Sequence, residues 1–389
     1  MDKTIGIIGG GQLGKMLLQY CSTLSIKTKI YDKSQDSICK NMCSTFHLGD
    51  FMDYDKIMEF GRECDIVTYE LEHISVRALF DLEKEGITVY PRPHVLETIQ
   101  NKYTQKQFLE KNNIPTCEFS KFNSIEEIRK SIDNNSIKLP CIWKKTTGGY
   151  DGFGVSKITE KDDLNKLTDG ECIIEEYVNI QKELSIVLAR NPKGDIKTYR
   201  PIEMVFNYNS NQLVCAKSPA IISNDMEQNA IEIAKKIVNL FEYVGVMAVE
   251  MFQTNNGILV NEIAPRPHNS GHLTIECSAA SQFEQHIRGI LGLPLSKTGM
   301  DKLLSGSCLM YNIIGEEGYS GIADYNSTEI IDLFSSCYEN LHIHIYGKKE
   351  TKPNRKLGHI TMSNSITCEN TIKKIIKACK IKSIQNNQN

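Results

Sequence analysis

The chain has 389 residues, 40% of them hydrophobic and 24% charged, with a formal net charge of −3. Such a balance suits two or three folded domains around a large core and excludes a disordered tail protein. Without a long basic stripe, it also argues against a nucleic-acid partner.

In chain order, Thr4–Ile8 reads as a short strand. Gly9-Gly10-Gly11-Gln12-Leu13-Gly14 follows, and Leu13, Met16, Leu17 and Tyr20 then recur at helical spacing. With a second strand at Ile26–Tyr31, ending at Asp32, this predicts a Rossmann-like start. Gly9, Gly11 and Gly14 fit G-x-G-x-x-G, a pattern that brings some phosphate to backbone N–H groups at a helix N-terminus without saying whose. Strands at Asp65–Tyr69, running into Glu70-Leu71-Glu72-His73, and at Thr88–Tyr90 continue the alternation to about residue 95. One helix is expected from Val95 through Leu96, Ile99, Tyr103, Phe108 and Leu109.

A strand at 138–144 delivers Lys144 to a segment with four glycines, Gly148, Gly149, Gly152 and Gly154. Glycine lets backbone approach a polyphosphate closely and lysine adds a point charge, so the segment reads as a phosphate-covering flap. Cys172–Val178 is a strand carrying Glu175 and Glu176 near its end, with Glu183 shortly after. Such a strand end suits an adenine pocket with a carboxylate on the ribose. Met226–Tyr243 is the clearest helix, and Glu232 is placed to pair with Lys236.

Two apolar runs, Val244–Phe252 and Ile258–Ala264, flank Thr254-Asn255-Asn256-Gly257, which predicts a hairpin. If the turn centres near Asn256, Glu250 and Glu262 lie opposite each other on one face. Like charges so placed repel, and two carboxylates together with phosphate oxygens form the usual Mg²⁺ site. Ala264-Pro265-Arg266-Pro267-His268-Asn269-Ser270-Gly271-His272 is too rich in proline and glycine for helix or strand, and it is crowded with groups that bind small anions. A helix at Ser281–Leu291 leads to a smaller C-terminal unit. There, strands are expected at Cys308–Ile314, Leu341–Tyr346 and Lys356–Met362, with a basic loop from Gly347 to Arg355. Lys373–Lys382 reads as a packed amphipathic helix.

Thirteen cysteines, odd in number and without a C-x-x-C pair, fit a reducing cytoplasm better than a disulfide scaffold. Cys39 and Cys43 can share a helix face but lack a second ligand pair for zinc. Neither a signal peptide nor a membrane-spanning run is read in the chain, so a cytoplasmic protein is expected.

The order of these pieces resembles the ATP-grasp superfamily and, within it, the N5-carboxyaminoimidazole ribonucleotide synthetases. The resemblance rests on GGGQLG at 9–14, TYELEH at 68–73, NKYTQKQFL at 101–109, GGYDGFG at 148–154, NEIAPRPHNSGH at 261–272 and RKLGH at 355–359. It implies an α/β ATP-grasp fold with a Rossmann-like domain at 1–95, an ATP-grasp domain at 96–296 and a small β-rich C-terminal domain at 297–389. It implies that Lys102, Lys144, Gly149, Tyr150, Asp151, Gly152, Gly154, Asn261 and Glu262 serve ATP. Glu175, Glu176 and Val178 would meet the adenine and Glu183 the ribose. Glu250 and Glu262 would hold Mg²⁺, with Mn²⁺ as a substitute, and Arg266, His268 and Asn269 would bind bicarbonate. Gly10, Gly11, Gln12 and Leu13 with Lys348 and Arg355 would grip the 5′-phosphate of aminoimidazole ribonucleotide, near Glu72, while Tyr150 and Asp151 face the imidazole. The resemblance implies a homodimer acting on ATP, bicarbonate and the ribonucleotide, with neither nucleic acid nor membrane as partner. Two positions depart from the family: Phe153 stands where a basic flap residue is usual, and 203–208 lacks the usual Asn-x-His. Two rival readings remain, a formate-dependent glycinamide ribonucleotide transformylase and an NAD-dependent oxidoreductase. The second explains the glycines and Asp32 but nothing after residue 95.

Overall fold

The computed structural model describes residues 3–149, 154–207, 211–296, 306–335, 340–363 and 369–384. The N-terminal sheet is parallel throughout, in the order β3-β2-β1-β4-β5. Its elements are β1 (Thr4–Ile8), α1 (Gln12–Thr23), β2 (Lys27–Asp32), β3 (Thr45–Leu48), α2 (Tyr54–Arg62), β4 (Ile66–Tyr69), α3 (Val76–Lys84) and β5 (Thr88–Val89). β1 and β4 are nearly continuous apolar runs because helices cover both faces of such a sheet. β3 escaped the sequence reading; its four residues, Thr45-Phe46-His47-Leu48, are half polar and none is fully buried.

The single helix expected after residue 95 is two, α4 (Pro93–Gln100) and α5 (Lys102–Lys111). Asn101 ends the first and caps the second, its side chain accepting from the N–H groups of Tyr103 (2.8 Å) and Thr104 (3.3 Å). Apolar spacing runs across the break because Val95, Ile99 and Leu109 enter one core.

A four-stranded antiparallel sheet follows, in the order β6-β9-β7-β8. It comprises β6 (Phe119–Phe122), α6 (Ile125–Asp133), β7 (Cys141–Lys145), β8 (Val155–Ile158) and β9 (Cys172–Glu176). Then come β10 (Lys182–Arg190), β11 (Ile196–Thr198), β12 (Ile202–Phe206), β13 (Leu213–Ser218), α7 (Asn224–Leu240), β14 (Gly245–Thr254), β15 (Gly257–Ala264), α8 (Thr274–Cys277) and α9 (Gln282–Ile290). The last region holds β16 (Cys308–Gly315), β17 (Gly321–Ile322), α10 (Thr328–Ser335), β18 (Leu341–Ile345), β19 (Glu350–Thr351), β20 (Lys356–Ser363), α11 (Glu369–Ala378) and β21 (Lys380–Ile381). One large sheet runs β15-β14-β10-β12-β13-β16-β20-β18, so the C-terminal strands extend the sheet that holds the hairpin.

Three further expectations change. Lys236 does not pair with Glu232. Its ammonium reaches the carbonyls of Asn112 (2.7 Å) and Asn113 (3.3 Å) beyond α5, a favourable place for a cation, and Lys235 takes Glu232 (2.9 Å). The basic C-terminal helix stops at Ala378, and Ile381 is buried in β21 instead. Nine described cysteines are free, Cys39 and Cys43 among them and outside any helix, but Cys277 and Cys308 are joined by a disulfide. α8 and β16 bring their Cα atoms to 6.2 Å, a pairing that a sequence separation of 31 does not reveal. No helix among the described residues is long and apolar enough to cross a membrane.

Candidate active site

The hairpin forms, but by a different route from a turn centred on Asn256. Thr254 pairs with Gly257 across a two-residue turn, a register that faces Met251 with Val260. Continued unbroken, it would put Glu250 opposite Asn261 and turn Glu262 to the other face. A bulge beside Met251 takes Asn261 out of the ladder and restores Glu250 opposite Glu262. The extra residue is used: Asn261 Oδ1 accepts from the Lys144 ammonium at 2.8 Å.

The carboxylate pair is electrostatically costly. Burial, then Glu262, then Glu183 push the Glu250 carboxyl up to about 8, and burial raises Glu183 to about 7. Burial would raise Glu262 too, but Lys102 at 2.7 Å opposes it and the group is held below its usual value. Burial is the largest single influence on Glu262 even though 37% of its side chain is exposed, but Lys102, Lys144 and His268 together outweigh it. Glu250 meets the imidazole of His268, at 3.3 Å. Oxygen donors of like charge in register are the donor set of a hard divalent cation, so Glu250 and Glu262 fit one.

α5 frames this hairpin with one face. Lys102 reaches Glu262, Gln105 Oε1 accepts from the N–H of Ile263 (3.1 Å), and Lys106 reaches Glu175 (3.0 Å) and Thr116 Oγ1 (2.6 Å). Thr116 in turn donates to the Val260 carbonyl (2.7 Å), and the Val260 N–H donates to the Pro115 carbonyl (2.7 Å). Helix α5 and residues 115–116 thereby cover β15, the outermost strand of the sheet. Glu175 is 2% exposed, and its carboxylate is held by Lys144 (2.8 Å) as well as Lys106. The two lysines outweigh burial and keep it below the usual carboxylate range. Its side chain therefore steadies Lys144. Glu176 is exposed and accepts from the Glu118 N–H (3.3 Å). Gly149 and Gly154 flank the flap; Tyr150, Asp151, Gly152 and Phe153 lie outside the described residues, as does Tyr208.

The loop after the hairpin passes through irregular backbone and then a 3₁₀ turn at Asn269–Leu273, where no helix was expected. Arg266 is fixed by Glu72, Nη2 to Oε1 at 2.9 Å. Nδ1 of His268 lies 2.9 Å from Ser270 Oγ and 3.4 Å from the Ser270 N–H, and Nε2 faces Glu250 at 3.3 Å. Ser270 Oγ donates onward to Ser185 on β10, at 2.8 Å. Asn269 is 9% exposed, and both polar atoms of its amide are buried without a partner among the described residues. A planar group with one donor and one acceptor unmatched suits a small planar oxyanion such as bicarbonate.

At the other end of the cleft, the Gly10 N–H donates to Asp32 Oδ2 and the Gly11 N–H to Glu70 Oε1, both at 2.6 Å. Those two amides, expected to grip a phosphate, are already engaged, while Gln12 and Leu13 open the first turn of α1, where amides lack helical partners. The same bond gives Asp32 a structural duty. Burial raises the Glu70 carboxyl to about 7, against the Gly11 bond and the charges of Arg266 and Lys348, which lower it. The C-terminal loop is docked alongside. Lys15 donates to the carbonyls of Ile345 (2.8 Å) and Tyr346 (3.1 Å), and Lys349 pairs with Asp36. Lys348 donates to the Lys356 carbonyl (2.8 Å) and Arg355 to the Glu350 carbonyl (3.0 Å).

Lys106, Gln105, Ser185 and Gln282 were not singled out from sequence. Only Lys106 left a signal: it stands one helical turn after Lys102, on the same face.

Three family models match the chain: a ribonucleotide synthetase preATP-grasp domain at 1–100, an ATP-grasp domain at 107–283 and a phosphoribosylaminoimidazole carboxylase C-terminal domain at 308–369. The N5-carboxyaminoimidazole ribonucleotide synthase of Bacillus subtilis is 35% identical over 362 residues, which are 92% of this chain and 90% of that one. The crystal structure of the N5-carboxyaminoimidazole ribonucleotide synthetase from Thermotoga maritima superposes with a TM-score of 0.86 at 39% identity, covering 98% of this chain and 100% of that one. That of N5-carboxyaminoimidazole synthase from Aspergillus clavatus, in complex with ADP and 5-aminoimidazole ribonucleotide, gives 0.84 at 30%, covering 97% and 98%.

Proposed function

The chain belongs to the N5-carboxyaminoimidazole ribonucleotide synthetase family, and from that premise we propose how its residues divide the work. It is an ATP-grasp ligase that carboxylates 5-aminoimidazole ribonucleotide, with ATP as co-substrate, in purine biosynthesis. Lys102 and Lys144 take the ATP phosphates, exchanging Glu262 and Glu175 for phosphate oxygens. Glu250 and Glu262 hold Mg²⁺, which neutralises charge on the transferring phosphoryl group when bound. Glu183 takes the ribose hydroxyls, and backbone at Glu175–Val178 takes the adenine.

Arg266, His268 and Asn269 hold bicarbonate so that its oxygen attacks the γ-phosphorus in line and ADP leaves. The product, carboxyphosphate, hydrolyses in water, so the reaction needs a dry cleft. The exocyclic amine of the imidazole then takes the carboxyl carbon; phosphate leaves and the amine gives up a proton. Gln12, Leu13, Lys348 and Arg355 anchor the 5′-phosphate, and Tyr150 and Asp151 face the imidazole. We assign Glu72 to positioning Arg266 and infer a cytoplasmic homodimer.

The observation that carries this division is the Asn269 amide, which directly follows Arg266-Pro267-His268 in the chain and is buried with both polar atoms unmatched among the described residues. The test is phosphate release from ATP. It is expected with aminoimidazole ribonucleotide plus bicarbonate and not with glycinamide ribonucleotide plus formate. Asn269→Ala should raise the KM for bicarbonate and leave that for the ribonucleotide in place; the reverse pattern overturns the loop assignment.

A further inference from the structure

Gln282 opens α9 and is completely buried. Its amide lies along the main chain of His268 as a neighbouring strand would. Oε1 accepts from the His268 N–H at 2.9 Å, and Nε2 donates to the His268 carbonyl at 2.7 Å. The second Nε2 hydrogen points to Nδ1 of His272 at 3.1 Å. Nδ1 of His272 is then the acceptor, and burial drives its pKa far below the usual value, so that ring stays neutral.

The surroundings leave the amide no alternative. A Cβ on Gly271 would stand 2.4 Å from Oε1, so the loop closes on the amide only because glycine occupies that position. The Gln282 N–H donates to Thr274 Oγ1 (2.9 Å), which donates to the Gly271 carbonyl (2.6 Å), tying the start of α9 to the same turn. A buried side chain with every polar atom committed to one backbone segment has a single low-energy placement.

We propose that Gln282 is a positioning residue for bicarbonate: it fixes the backbone of His268 so that the Arg266–Asn269 loop presents its ligand groups before bicarbonate arrives. The inference rests on reading that loop as the bicarbonate site. Gln282 itself touches no substrate. Without its amide the His268 N–H loses this partner and the His268 carbonyl is left with the Gly271 N–H (3.0 Å), so more of the ordering of the loop falls to the binding of bicarbonate. ATP meets other residues and does not feel the change.

The test compares Gln282→Met, which keeps length and removes both bonds, with Gln282→Glu, which keeps the acceptor for the His268 N–H. Apparent KM values for bicarbonate and ATP are measured in carbonate-depleted buffer, alongside thermal midpoints. Gln282→Met is expected to raise the bicarbonate KM about tenfold, the loss of one to two net hydrogen bonds, with the ATP KM within about twofold and Gln282→Glu in between. A purely structural role would lower the midpoint and the active fraction and move neither KM; that result overturns the proposal. Should Gln282→Met fail to fold, Gln282→Glu decides by the same ratio of KM values. His268→Ala separates the two layers. If it raises the bicarbonate KM while the Gln282 variants do not, the loop assignment stands and Gln282 is wrongly placed. If His268→Ala leaves that KM unmoved, the loop assignment falls and this inference with it.

Discussion

The two cation sets of the cleft are held in opposite ways. Lys102 and Lys144 are tied to carboxylates, Glu262 and Glu175, in surroundings poor in water. Lys348 and Arg355 rest on backbone carbonyls in a partly exposed loop. A buried charge needs a counter-charge at all times, so the first pair must exchange partners when a polyphosphate enters. A carbonyl is a weak, neutral partner that a phosphate displaces readily. On the division proposed above, recognition of the ATP phosphates is an exchange among groups already charged and placed, whereas recognition of the ribonucleotide phosphate is a recruitment of cations from the surface. The first should show up in catalysis and folding stability, the second in substrate affinity alone.

The comparison breaks most sharply at the hairpin. Glu262→Gln keeps shape while removing a metal ligand and the partner of Lys102; turnover at saturating Mg²⁺ should fall a hundred- to thousandfold, as when a preorganised electrostatic group is lost. A near-normal rate of phosphate release would end the metal assignment. Lys106→Met tests the stability half. It leaves Glu175 with one cation in place of two, and denaturant melts should register a loss of about 3 kcal/mol, the usual cost of breaking a buried pair. On the other side, Arg355→Ala should raise the KM for the ribonucleotide about tenfold and leave the melt and the ATP KM in place, since a charge-assisted hydrogen bond contributes about 1.5–3 kcal/mol. If ATP suffers and the ribonucleotide does not, the two pockets have been exchanged.

The smallest effect sharpens the boundary between the sets. Burial raises Glu70 to about 7, so the folded protein holds that proton more tightly than the unfolded chain does. The favourable contribution is complete below the ordinary carboxyl value and is lost as the pH rises through about 7. Glu70→Gln should flatten the fall in stability over that window and, by removing a negative charge near the phosphate anchor, improve ribonucleotide affinity about two- to threefold at pH 8. A melt whose pH dependence is unchanged by the substitution would rule Glu70 out as its source.

How legible these features were depended on how far their causes extend along the chain. Strand β1, the glycine turn, α7 and the hairpin came straight from periodicity and turn chemistry, because each is fixed by neighbours a few residues away. The opposition of Glu250 and Glu262 was foreseen, but the bulge at Asn261 that produces it was not. A turn one half-residue off centre and a compensating insertion look identical in sequence. The split at Asn101 was hidden because two helices bury their apolar residues in one core. Gln105 and Lys106 serve groups 158 residues away or on another sheet, and Gln282 serves the backbone of an irregular loop 14 residues before it; helical or strand periodicity carries nothing about such partners. Lys236 was misassigned for the same reason: carbonyls across the fold offered a better place than a carboxylate one turn away.

The covering of β15 by α5 reaches beyond catalysis. An outermost strand with free N–H and carbonyl groups is a template on which another chain can add itself. Here the amide of Val260 is closed by Pro115, its carbonyl by Thr116, and the amide of Ile263 by Gln105. The segment that carries Lys102, proposed above to meet the phosphates, is therefore also the guard of the sheet edge. A fluctuation that lifts α5 away disarms the enzyme and bares a sticky β-ribbon in the same instant. Heat-inactivated protein should consequently enter intermolecular β-structure without first passing through an inactive monomer that recovers on cooling, and nucleotide, by holding Lys102 in place, should delay clumping as much as it delays loss of activity.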